Sequence, residues 1–163
     1  MVDIQTISIM VASAGVFAAA IYYIFQLRYQ TKVRQTDLII RLYSQVCNKE
    51  TMDAVLKVWN LKVNDYDSFM KKYGPLTAEG PEQTAFHMIG MYMEGVGVLL
   101  HRKLVDVDVV RELFPVETFW RICEPIIVSF NKESGTRSYE WFEYLYNEVK
   151  KRERKLQRSA RNS

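Results

Sequence analysis

The chain has 163 residues, of which 48% are apolar and 25% charged, with a formal net charge of +3. That length holds one domain with its own core beside an anchor, and two scattered cysteines exclude a disulfide-stapled fold. Charge is uneven: residues 150–163 carry Lys150, Lys151, Arg152, Arg154, Lys155, Arg158 and Arg161 against Glu153, a local +6 that leaves the rest at −3 and excludes a uniformly basic nucleic-acid binder.

Between Ile4 and Leu27 there is no Asp, Glu, Lys, Arg or His. At about 1.5 Å per residue a helix of that length covers the roughly 30 Å hydrocarbon layer of a membrane. Gln5, Thr6, Ser8 and Ser13 interrupt its apolar surface, and Tyr22 and Tyr23 come where amphipathic rings favour an interface. A cleaved secretory signal ending near Ala18–Ala20 is the competing reading. Against it, Asp3 is the only charged side chain before Arg28, and the apolar run continues past those alanines. Arg28, Lys32, Arg34 and Arg41 follow the span and no Lys or Arg precedes it. The positive-inside rule then predicts a single pass of the cell membrane, N-terminus outside and C-terminal domain in the cytoplasm. In that compartment Cys47 and Cys123 are expected to be reduced, and both are expected to be buried. Within the span, Ser8, Ala12, Gly15 and Ala19 form one stripe of small residues along which membrane helices can associate.

From Arg28 to Cys47 there is no Gly or Pro, and Leu38, Ile39, Leu42, Tyr43 and Val46 recur at helical spacing, so the membrane helix is expected to continue as a stalk. The pattern breaks at Asn48 and resumes with Met52, Val55, Leu56 and Trp59. A short helix is expected from Asp65 to Tyr73, ended by Gly74-Pro75. Gly80-Pro81-Glu82 starts a long helix to about Lys103, whose Gly90 and Gly97 read as packing notches and whose Met88, Met91 and Met93 read as core filler. Asp106 caps a short helix through Phe114, and Pro115 begins another that Pro125 should bend or divide. After the Ser134-Gly135 turn, Thr136 or Ser138 should cap a last helix carrying Trp141, Phe142, Leu145, Tyr146 and Val149. No stretch reads as a strand. The expectation is an all-α chain: residues 1–27 a transmembrane anchor, 28–149 a stalk and small cytoplasmic helical bundle, and 150–163 a basic tail fraying near Ser159.

The segments MYMEGVGVLLHRKLVDVDVVRELF, FWRICEPIIVSF and YEWFEYLYNEVKKR carry a resemblance over about His87–Lys151. In them the chain resembles an uncharacterised family of small prokaryotic membrane-anchored helical proteins, a domain of unknown function. Its relatives have an arginine near the end of the tryptophan helix, where Ser129, Phe130 and Asn131 stand here. The resemblance implies the helical architecture and no activity.

His87, Glu94 and His101 recur every seven residues and share a helix face. Successive members lie about 10 Å apart along the axis, whereas zinc ligands sit about 2 Å from one ion, so no metal site is read from them. Glu94 is instead expected to anchor Arg121 or Arg137, since an isolated buried carboxylate is costly. Asp106-Val107-Asp108 lacks the later glycine and glutamate of a calcium loop, and Gly90 to Gly97 lacks the Lys-Ser/Thr of a phosphate loop. No catalytic residue and no cofactor is expected. The basic residues from Lys150 to Arg161 favour anionic lipid, and with no aromatic residues among them nucleic acid is not an expected partner. The reading that follows is a membrane-tethered interaction, scaffold or accessory protein that binds membrane lipid and forms a homo-oligomer or larger membrane complex. A membrane-tethered enzyme with an unrecognised site and a nucleic-acid-binding module are the alternatives.

Overall fold

A computed structural model describes residues 3–161, apart from the side chain of Thr6. Among the described residues the chain is all-α, with seven helices: α1 (Ile4–Val46), α2 (Lys49–Trp59), α3 (Tyr66–Tyr73), α4 (Pro81–His101), α5 (Val107–Leu113), α6 (Val116–Ser134) and α7 (Glu140–Arg161). Two compact units divide the chain at Met1–Ile40 and Arg41–Ser163, a boundary inside α1 rather than at its change from apolar to charged composition.

The first unit is the apolar run and the charged segment after it, one uninterrupted helix. Its 18-residue apolar window has a mean hydropathy of 2.0 and none of it is buried, so this is a helix long and apolar enough to cross a membrane. Its hydroxyls turn inward: Ser8 Oγ donates to the Ile4 carbonyl at 3.1 Å, and Thr36 Oγ1 donates to the Lys32 carbonyl at 3.0 Å.

The second unit is a packed bundle whose helix ends follow local chemistry. Asn48 accepts the Thr51 N–H at 2.8 Å and so starts α2 after the break. Asp65 and Ser68 form a reciprocal capping box at α3, and those hydrogen bonds hold the Asp65 carboxyl below its ordinary value. Gly74 at φ +90° and Gly135 at φ +67° end α3 and α6 in the left-handed region that glycine tolerates. Pro125 neither divides nor ends α6, which continues to Ser134.

At the centre, α4 packs against α2, α6 and α7, and α7 in turn against α5 and α6. Phe69, Phe86, Ile89, Val96, Ile126, Phe142 and Leu145 are almost wholly removed from solvent. Trp120 meets Phe142 edge-on at 5.0 Å and stacks on Tyr146 at 5.6 Å. Of the three methionines read as filler, only Met93 is in the core, while Met91 is exposed. Cys123 is buried as expected, but Cys47 is exposed, because α1 ends at Val46 and leaves it in the turn before α2.

Candidate functional site

Three polar residues of α4, His87, Glu94 and His101, face the start of α7. His87 Nε2 lies 2.9 Å from the Leu76 carbonyl oxygen, which can only accept, so this nitrogen donates. In the neutral ring Nδ1 then accepts the Tyr139 hydroxyl, 2.6 Å away. Burial pushes the Tyr139 phenol up to about 12, with the nearby Cys123 and Glu94 adding in the same direction, which keeps it a donor. His101 packs its ring 4.6 Å from Trp141 and 5.4 Å from Tyr144.

Glu94 takes a partner that the sequence did not suggest. Its Oε2 accepts the backbone N–H of Phe142 at 2.8 Å, the third residue of α7. A carboxylate at that position satisfies an orphan helix donor and meets the positive end of the helix dipole, so it caps α7 from another helix. The expected Arg121 and Arg137 stand elsewhere: Arg137 pairs with Glu140 at 3.5 Å, and exposed Arg121 lines a shallow polar groove with Glu117 and Glu124. An arginine held against Glu94 would have to be dehydrated, whereas the Phe142 N–H is already buried and needs an acceptor. Neither Thr136 nor Ser138 precedes α7 directly. The residue before it is Tyr139, at φ +63°, where a side-chain-bearing residue costs about 1 kcal/mol or more. Its ring contacts, edge-on to Phe86 at 6.0 Å and over Gly90, hold it there.

Gly90 and Gly97 permit this approach. A Cβ on Gly90 would collide with the Tyr139 ring, and one on Gly97 with the Trp141 backbone carbonyl. The seven-residue spacing of His87, Glu94 and His101 was the signal that something crosses this face; that it is the first turn of α7 had no local signature.

The basic end of the chain is helical as far as Arg161, and its first part is engaged. Arg152 makes a bidentate pair with Asp108, Nε to Oδ1 at 2.7 Å and Nη2 to Oδ2 at 2.6 Å. That guanidinium holds the Asp108 carboxyl below its ordinary value of 3.8. Lys150 contacts Glu117, and Lys151 lies 3.1 Å from Glu148. Glu153 is pushed above the usual carboxylate range by partial burial and by neighbouring Glu117. Arg154, Lys155, Arg158 and Arg161 are exposed, so the cationic surface is the last two turns of α7.

In α1 the stripe of Ser8, Ala12, Gly15 and Ala19 is exposed throughout, and a Cβ on Gly15 would meet nothing within 4 Å. Over residues 9–149 the chain matches the family described as a domain of unknown function, DUF4760, and it belongs to that family. The matched span reaches from α1 through the Trp59 region to α7, well beyond His87–Lys151. No curated protein and no solved structure matches the chain.

Proposed function

We propose that this member of the DUF4760 family is a single-pass protein of the cell membrane whose helical bundle acts in the cytoplasm as an interaction, scaffold or accessory module. The observation that carries the reading is α1, whose apolar window buries none of its residues and is followed, not preceded, by Arg28, Lys32 and Arg34. An exposed apolar helix of that length is stable in hydrocarbon and costly in water. The charge asymmetry supports a cytoplasmic position for the bundle. There the exposed cations of Arg154, Lys155, Arg158 and Arg161 favour anionic lipid, by roughly 1 kcal/mol for each one near the surface. Ser8, Ala12, Gly15 and Ala19 supply a face for association with another membrane helix, so a homo-oligomer or larger complex is the expected assembly.

Cys47 makes the topology testable without substitution, because it is exposed while Cys123 is buried. A membrane-impermeant maleimide added to intact cells should leave Cys47 unmodified and should label it after permeabilisation, with the protein staying in the membrane pellet through alkaline carbonate. Labelling of intact cells would reverse the orientation, and release by carbonate would remove the anchor. For association, Gly15→Leu with Ala19→Leu should abolish self-association in a membrane reporter assay; unchanged association would sink that part of the reading.

A further inference from the structure

The spacing of the small-residue stripe continues along α1 in larger side chains. Continuing its alternation of four and three residues from Ala19 reaches Tyr22, Gln26, Tyr29, Val33, Thr36 and Ile40. Each of these is exposed, Val33 by 50% and Ile40 by 61%. Such alternation averages 3.5 residues per turn and keeps one face aligned only when helices wind around each other with a left-handed supercoil. We infer that α1 is one continuous seam for a second copy of this chain: a parallel two-stranded coiled coil that begins in the membrane and runs through Ile40. This rests on the proposed membrane association and extends it into water.

Position by position, the residues suit that occupant. Numbered as a heptad, Val33 and Ile40 fall at a, where β-branched side chains favour two parallel strands, and Tyr29 and Thr36 fall at d. Thr36 enters such a seam without an orphaned hydroxyl, since its Oγ1 already donates to the Lys32 carbonyl. Gln26 falls at a near the end of the apolar run, where a polar side chain can set a single register by bonding its counterpart.

Charge complementarity points to a second copy rather than an unrelated helix. Lys32 falls at g and Asp37 at the following e, the two positions that face each other across a parallel dimer. Tyr29, Lys32, Val33, Thr36, Asp37 and Ile40 hold the a, d, e and g positions of this register and lie together on α1. A shared membrane holds two copies parallel and at equal depth, so like positions meet about a two-fold axis. The seam ends beyond Ile40, because the next position, Tyr43, has its ring 6.4 Å from Phe114 of its own bundle.

The test is disulfide trapping of the full-length protein in its native membrane, in a Cys47→Ser background. Cys123 can stay, since burial pushes its thiol up to about 12 and out of reach of mild oxidant. A disulfide needs Cβ atoms about 4 Å apart, so Val33→Cys and Ile40→Cys should give roughly fivefold more covalent dimer than Thr31→Cys and Arg34→Cys on other faces. Lys32→Asp or Asp37→Lys should each lower trapping at Val33→Cys by about twofold, and the two together should restore it. Equal trapping at all four positions, adducts with a different protein, or no rescue by the double reversal would overturn the inference. If no stalk position traps while Gly15→Leu with Ala19→Leu still abolishes association, the coiled coil falls and the membrane contact stands. Loss of both effects removes both.

Discussion

α1 and α4 are the two long apolar helices of this chain, and they treat their side chains oppositely. In α4, Phe86, Ile89, Met93 and Val96 are buried against neighbours, and several of its polar groups find partners across the bundle: His87 at Tyr139 and the Leu76 carbonyl, Glu94 at the Phe142 amide, Gln83 at the Tyr73 carbonyl and Tyr92 at the Leu42 carbonyl. In α1, Val11, Val16, Phe17 and Ile21 are exposed, and the hydroxyl of Ser8 is satisfied by its own backbone. An apolar residue is therefore no marker of the core by itself. What separates the helices is complementarity: α4 has Gly97 where the Trp141 backbone passes and Gly90 under the Tyr139 ring, whereas Gly15 of α1 faces open space. One helix is packed into the bundle, while the apolar window of the other is left exposed.

The sharpest break of that comparison is Gly97→Ala. The added methyl meets the Trp141 carbonyl, which belongs to backbone and cannot rotate away, so a loss on the order of 3 kcal/mol is expected in a urea or thermal melt of the bundle. Next in size is Glu94→Ala, which strips the cap from α7 and leaves the Phe142 N–H unmet; about 1–2 kcal/mol should be lost. If Glu94→Ala melts like the parent, the inter-helix cap is not contributing.

Tyr139→Phe should cost about 1 kcal/mol at neutral pH through the His87 hydrogen bond. It should also change the alkaline limb. The folded phenol titrates at about 12 against an ordinary 10.0, so its contribution is whole below pH 10 and lost as pH rises towards 12. In that window the variant should lose less stability than the parent, which circular dichroism against pH would record.

Arg152→Gln should act at the other end of the scale. The Asp108 carboxyl is held below 3.8, so its contribution is present above that pH and lost as pH falls through the lowered value. Without Arg152 that acid-linked loss should shrink, a small effect because both groups are solvent-accessible, and high salt should mimic it. Smallest of all is Gly15→Ala, expected to leave the bundle's melt unchanged within about 0.5 kcal/mol. A large shift there would mean that α1 packs within the fold after all.

Much of this architecture is written locally. The caps at Asn48, Asp65 and Asp106, the stop at Gly74 and the start at Pro81 depend on groups within a few residues of one another, and local chemistry suffices to read them. The start of α7 was not legible that way. Its cap lies 48 residues upstream on α4, and Thr136 and Ser138, the better local candidates, lose to Tyr139 held by its ring. The pairing at the basic end was not legible for the same reason, since Asp108 lies 44 residues before Arg152 and only packing of α5 against α7 brings them together.

By itself the sequence determined that the chain is all-α, that its first helix is long and apolar enough to cross a membrane, and where most of the other helices begin and end. Those properties follow from periodicity, composition and capping, whose physics acts over one or two turns. Only the tertiary structure decided which polar residues meet: Glu94 with an amide, His87 with a phenol, Arg152 with Asp108, and Cys47 with solvent. Such pairs depend on how helices distant in sequence are stacked, and no short-range pattern encodes that stacking.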